Sequence, residues 1–238
     1  MRRLFIPTLG PTDWRRLLAD PEVQWEPGKS ALEMAVSWEA ARTSARGLPP
    51  EVAGALDSSP DLIGAELVIG LPEHQVTMAG GGHASQNDLW ALLRKDDAFY
   101  SMAVEAKAGE PLDDYVRDWL GKTRGRTRKP ERLSALQKCL GIVDRDVMAI
   151  RYQLLHRASS ALIEAQRFRA KAAILLIQSF NAEADAGSWE DCLRFGDLLG
   201  ADLRQGAVGL ATVPSAVPLY VGWVSCSPAT EAQLRSAV

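Results

Sequence analysis

The segment from Asn87 to Lys107 constrains the chain more than any other. Asn87-Asp88 opens the apolar run Leu89-Trp90-Ala91-Leu92-Leu93, Asp96-Asp97 follows, and Phe99-Tyr100-Ser101-Met102-Ala103-Val104 leads into Glu105-Ala106-Lys107. This order predicts two adjacent strands joined by a short turn, which brings Asp88 near Glu105. Side chains alternate along a strand, so Glu105 and Lys107 share a face. Two carboxylates and an ammonium at a sheet edge suit a hard divalent cation and an activated water. Oxygen donors without a Cys/His set favour Mg²⁺ or Mn²⁺ over zinc. Asp88 and Glu105 are the expected metal ligands. Lys107 would orient or deprotonate the water, or neutralise charge on a phosphate. The plainer alternative is two solvated acids at strand ends and a surface ion pair of Lys107 with Glu105 or Glu110.

The 238 residues suit one domain with a sizeable core. A formal charge of -3 gives no global attraction to nucleic acid, so such binding would need a local patch. Cys139, Cys192 and Cys226 form no CxxC pair and read as reduced thiols of a cytoplasmic protein. The apolar start of Met1–Pro7 stops at a proline, and Ala172–Ile177 is far too short to span a bilayer, so no membrane association is expected.

Helices are expected over Thr12–Asp20, over Ser30–Arg46 with Ser30 as cap, and over Glu51–Leu56. Strands are expected over Leu62–Leu71 and Gln75–Met78, with Gly80-Gly81-Gly82 as a hairpin connector. Three glycines invite a phosphate-loop reading, but GxxxxGK[ST] is missing. Beyond Lys107, helices are expected over Leu112–Leu120, Pro130–Leu140, Val147–Arg169 and Trp189–Leu199, and strands over Ala172–Phe180 and Val217–Val224. Ile150, Leu154, Ala158, Ala161 and Ala165 form a buried stripe on the longest helix. Alternating strands and helices predict an α/β fold, a mixed central sheet flanked by helices.

The hairpin pattern resembles the PD-(D/E)XK nuclease superfamily, with Asn87-Asp88 standing where that pattern has Pro-Asp. Ser37-Trp38-Glu39, Gly47–Val52, Val104–Pro111 and Ile150–Arg157 extend the likeness to an uncharacterised bacterial branch, over roughly residues 25 to 225. The resemblance implies a restriction-endonuclease-like core over about residues 30–225, with one acid and the (D/E)xK residues flanking a metal ion. It also implies an acid on the helix before the sheet, for which Glu33 and Glu39 compete and Glu39 is preferred. On the later helix, Gln153 and Arg157 lie one turn apart, with His156 beside them. The resemblance places such residues against the metal-bound water or the phosphate. Arg157 suits the phosphate because its planar fork matches phosphate oxygens, whereas His156 fits a core role equally well.

Lys122, Arg124, Arg126, Arg128 and Lys129 form the dense basic run, readable as a solvated loop or as a grip on a nucleic-acid backbone. The leading expectation is therefore a metal-dependent phosphodiesterase acting on nucleic acid, with DNA preferred. Alternatives are a non-catalytic nuclease-fold protein binding nucleic acid or a partner, and a hydrolase of small phosphoesters. The resemblance also allows a homodimer.

Overall fold

A computed structural model describes residues 7–122 and 128–237. Arg124 and Arg126 of the basic run lie outside them. Along the chain, α1 (Thr12–Arg15), α2 (Pro21–Gln24), α3 (Ser30–Ala40) and α4 (Pro50–Asp57) precede β1 (Glu66–Val76), β2 (Ser85–Lys95) and β3 (Ala98–Lys107). Then follow α5 (Val116–Gly121), α6 (Lys129–Leu140), α7 (Tyr152–Phe168), β4 (Ala172–Ser179), α8 (Ala186–Leu199), β5 (Ala207–Leu210), β6 (Leu219–Ser225) and α9 (Glu231–Ala237). The six strands form one mixed sheet in the order β1-β2-β3-β4-β6-β5. The first three run as an antiparallel meander, β4 and β6 continue parallel to β3, and β5 closes the edge antiparallel to β6.

Period-2 alternation divides the apolar residues between two faces. Ala103, Leu175, Ile177 and Val221 pack with α6, α7 and α8. Val104, Ala106, Ile174 and Leu176 pack with the helices before the sheet and with Ala237 of α9. The expected α/β fold with helices on both faces is therefore present. Among the described residues no helix is long and apolar enough to cross a membrane.

Several elements differ from expectation for identifiable reasons. Leu62–Leu71 and Gln75–Met78 are not two strands: one continuous β1 spans Glu66–Val76, because Pro72 sits on an edge strand where its missing N–H costs no ladder bond. Ser30 is not the cap of α3. Lys29 holds that place, and the Ser30 hydroxyl donates to Glu110 at 3.3 Å.

The hairpin is pinned to α7 by a buried polar relay. Trp90 Nε1 donates to Ser101 Oγ at 2.9 Å, and Ser101 Oγ donates to the Ala161 carbonyl at 2.9 Å. Both Trp90 and Ser101 are fully buried. Ser101→Ala should leave the indole N–H unsatisfied in the core, costing about 1–3 kcal/mol. At this chain length that lowers the melting temperature by roughly 2–4 °C per kcal/mol. A variant that melts with wild type would show that the relay contributes nothing.

Candidate functional site

The β2–β3 ladder ends at Leu89↔Val104, so Asp88 and Glu105 come next on the two strands. Asp88 closes the hairpin with its side chain: its Oδ2 accepts the Ala106 N–H at 2.7 Å. Glu105 is 2 % exposed and its oxygens are fully engaged. Oε1 accepts from Lys107 Nζ at 2.8 Å and from Gln153 Nε2 at 2.6 Å, while Oε2 accepts from Arg157 Nε at 2.5 Å. Arg157 also approaches Asp88 Oδ1 at 3.8 Å, so one guanidinium touches both acids.

The first two turns of α7 supply the opposite side of this cluster. The apolar stripe Leu154, Ala158, Ala161 and Ala165 seats the helix on the sheet. Gln153 and Arg157, one turn apart, then reach the end of β3. The Gln153 carbonyl oxygen accepts the Asp113 N–H at 3.2 Å, which fixes its amide toward Glu105. Arg157 also donates to Ser85 Oγ at 3.1 Å, and that hydroxyl lies 2.7 Å from His156 Nδ1. Burial, with the nearby Arg157 charge, holds the His156 pKa well below its ordinary value, so the ring is neutral.

The charges sort clearly. Burial opposes ionisation of Glu105, but Arg157 and Lys107 outweigh it and keep the carboxyl below its usual range. Burial likewise opposes the Lys107 ammonium, but Glu105 and Asp88 outweigh it and hold its pKa above the ordinary lysine value. Lys107 is therefore a fixed positive charge and not a ready base. Asp88 differs: loss of water and the neighbouring Glu105 push its pKa up to about 7. Its side chain keeps 24 % of its surface exposed, which makes it the acid an ion from solvent can reach.

A third acid belongs here that the sequence did not disclose. The pairs Pro72↔Leu89 and His74↔Asn87 place Glu73 of β1 opposite Asp88. Its backbone lies at φ +53°, and its Oε2 accepts from Gln86 Nε2 at 2.6 Å. A non-glycine residue in that region costs on the order of 1–3 kcal/mol and persists only where the surroundings impose it. Burial and the Asp88 charge push the Glu73 pKa up to about 8.

The expectation for Glu39 is corrected. Its Oε1 accepts from Thr8 Oγ1 at 2.6 Å and from Trp14 Nε1 at 2.8 Å, and Arg42 reaches Oε2 at 3.3 Å. Glu33 is spent on the Gly28 and Ala229 N–H groups at 3.2 and 2.6 Å. Both lie on α3, across the sheet from α7, and serve the packing of the chain ends. In the basic run, Lys122 pairs with Asp114, while Lys129 donates to the Trp119 carbonyl.

The donor chemistry suits a hard cation. Glu73 and Asp88 are crowded acids whose raised pKa values a divalent ion would reverse, and Glu105 is ionised. In the arrangement described, Arg157 and Lys107 supply the balancing charge. Among the described residues no group of three or more His, Cys, Asp or Glu is disposed to hold an ion. The fold and cluster thus define an α/β protein with a buried carboxylate–guanidinium centre at one end of its mixed sheet. Residues 7–228 match the family described as "Domain of unknown function (DUF6946)", and the chain belongs to that family. No curated protein and no solved structure gives a match.

The raised acids carry a pH signature. Asp88 and Glu73 bind protons more tightly in the folded chain than in the unfolded one, so their ionisation weakens folding as pH rises from about 4 to about 8. In chelator, Asp88→Asn should therefore gain on wild type as pH rises. The gap in melting temperature should widen by at least about 3 °C between about pH 5 and pH 8.5. His156 opposes this trend equally in both proteins and cancels in the difference. A gap independent of pH would contradict the raised Asp88 carboxyl.

Proposed function

We propose that this protein is a metal-dependent phosphodiesterase of the PD-(D/E)XK type that cleaves nucleic acid, with DNA the preferred substrate. The observation that carries this reading is the convergence of Asp88, Glu105 and Lys107 at the end of one hairpin, with Gln153 and Arg157 of α7 on the same carboxylate. The residue order resembles that superfamily, and the mixed sheet flanked by helices supports a restriction-endonuclease-like core.

Asp88 and Glu105 would hold Mg²⁺ or Mn²⁺, with Glu73 beside them. Bound there, the ion would lower the pKa of a water and spread the charge on the phosphate. Arg157 presents a planar fork to phosphate oxygens once Glu105 turns toward the ion. Lys107 stabilises the charge that grows on the phosphate during attack. Gln153, anchored by the Asp113 N–H, orients Glu105. Arg124, Arg126 and Arg128 would hold the strand through its backbone, which makes affinity strongly salt-dependent.

One observation favours a second reading, a nuclease-fold protein that binds nucleic acid or a partner without cleaving it. Both oxygens of Glu105 are taken by donors, so the cluster is complete without an ion. Incubation of the purified protein with plasmid and single-stranded DNA, with and without Mn²⁺, separates the two. Cleavage should require the ion and vanish in Asp88→Asn. Lys107→Ala should still bind Mn²⁺ but turn over about 10²-fold more slowly or worse. Mn²⁺ should raise the melting temperature of wild type and do far less for Asp88→Asn, because it binds only the folded site. Wild type with neither cleavage nor a metal-dependent shift would overturn the phosphodiesterase in favour of the non-catalytic reading.

A further inference from the structure

Beside the carboxylate cluster, on the far side of Ser85 and His156, lies a cavity of about 460 Å³. That size lies within the range of small-molecule sites. One wall is aromatic. Trp119 and Tyr152 stack face to face with ring centroids 3.9 Å apart and planes 11° from parallel, and Lys129 Nζ lies 5.0 Å from the Trp119 centroid. Lys129 thus caps the aromatic wall, and Arg128 before it and Arg132 one turn into the twelve-residue α6 extend the positive lining. Among the described residues that line the cavity there are three such cations and no carboxylate.

Arg132 shows that the site is built and not incidental. It is 6 % exposed, and its NH1 and NH2 donate to the Gly81 and His83 carbonyls at 2.8 and 3.1 Å. Those contacts hold a permanent positive charge and the glycine connector together along the cavity. The glycine connector makes the approach possible. Gly80 sits at φ +83°, and a Cβ there would lie 2.6 Å from Arg132 Cα, so only glycine lets the loop press against α6. The N-terminal end of α6 adds its dipole to the positive field.

A flat apolar wall beside a cluster of cations with no acid recognises a planar group joined to an anion. The geometry points to a nucleotide pocket that takes one unstacked base against Trp119 and Tyr152, with its phosphate at Arg128, Lys129 and Arg132. The ligand is either a free nucleoside monophosphate or one nucleotide of a single strand; the chemistry is the same. Ser85 Oγ touches both His156 of this cavity and Arg157 of the cluster, so a strand held here would run toward Glu105. Binding itself requires neither a metal nor cleavage.

The test is calorimetric titration of the intact protein in chelator with adenosine 5′-monophosphate, inorganic phosphate and a single-stranded oligodeoxyadenylate. The nucleotide should bind. Trp119→Ala and Arg128→Ala should each weaken it by about tenfold or more, the scale of one lost stacking or charge contact. Arg128 is exposed, so its loss tests the pocket without risk to the core. An oligonucleotide that outcompetes the monophosphate identifies a strand as the ligand, and the reverse identifies a free nucleotide. If neither binds at about 1 mM, the proposal is overturned. It is equally overturned if inorganic phosphate binds as well as the nucleotide and Trp119→Ala changes nothing. The titration contains no metal, so nucleotide binding there combined with no DNA cleavage when Mn²⁺ is supplied would refute the phosphodiesterase and leave the pocket standing.

Discussion

Glu105 carries a buried carboxylate at the end of a central strand, and the neighbouring structure is arranged around that charge. An isolated carboxylate in such a place loses several kcal/mol of hydration. Here Lys107 from its own strand and Gln153 and Arg157 from α7 surround it at 2.5 to 2.8 Å. The attraction wins, as the lowered pKa of Glu105 records. The same contacts fix the helix to the sheet: an apolar stripe sets where α7 lies, and the Glu105 contacts set its register at that end.

The remaining acids show what this arrangement leaves over. Arg157 divides itself between Glu105 and Asp88, approaching the second at only 3.8 Å. Asp88 and Glu73 therefore sit close to one another with too little positive charge, and both titrate near neutrality. On the proposed function, this centre of one ion-paired carboxylate and two acids of raised pKa would take a cation among its acids and a phosphate at its arginine. The phosphodiester reading uses both.

Much of this was legible in the residues, for physical reasons. The β2–β3 hairpin and most of the α7 stripe follow from periodicity, although α7 begins only at Tyr152, so Ile150 of the expected stripe packs into the core from the segment before the helix. Glu73 was hidden because Pro72 splits the apolar pattern, and the expected break between two strands fell on the very acid that faces Asp88. The four-residue β5 carries too short a pattern to stand out, and α9 is a short polar helix docked at the chain end. Glu39 illustrates the opposite failure. Its place on a helix before the sheet made it attractive, but the sequence gives no sign that Thr8 and Trp14 fold back to claim its carboxylate.

The central claim is that Glu105 and Arg157 form one buried unit on which the site depends. A double-mutant cycle measures this directly, by urea unfolding of wild type, Glu105→Gln, Arg157→Met and the double variant, all in chelator. Each single change strands a buried charge and should cost about 3–5 kcal/mol. The double change removes both charges and should recover part of that loss, giving a coupling above about 1.5 kcal/mol. Single effects that add to within about 0.5 kcal/mol would show that the two residues do not act together, and would contradict the account.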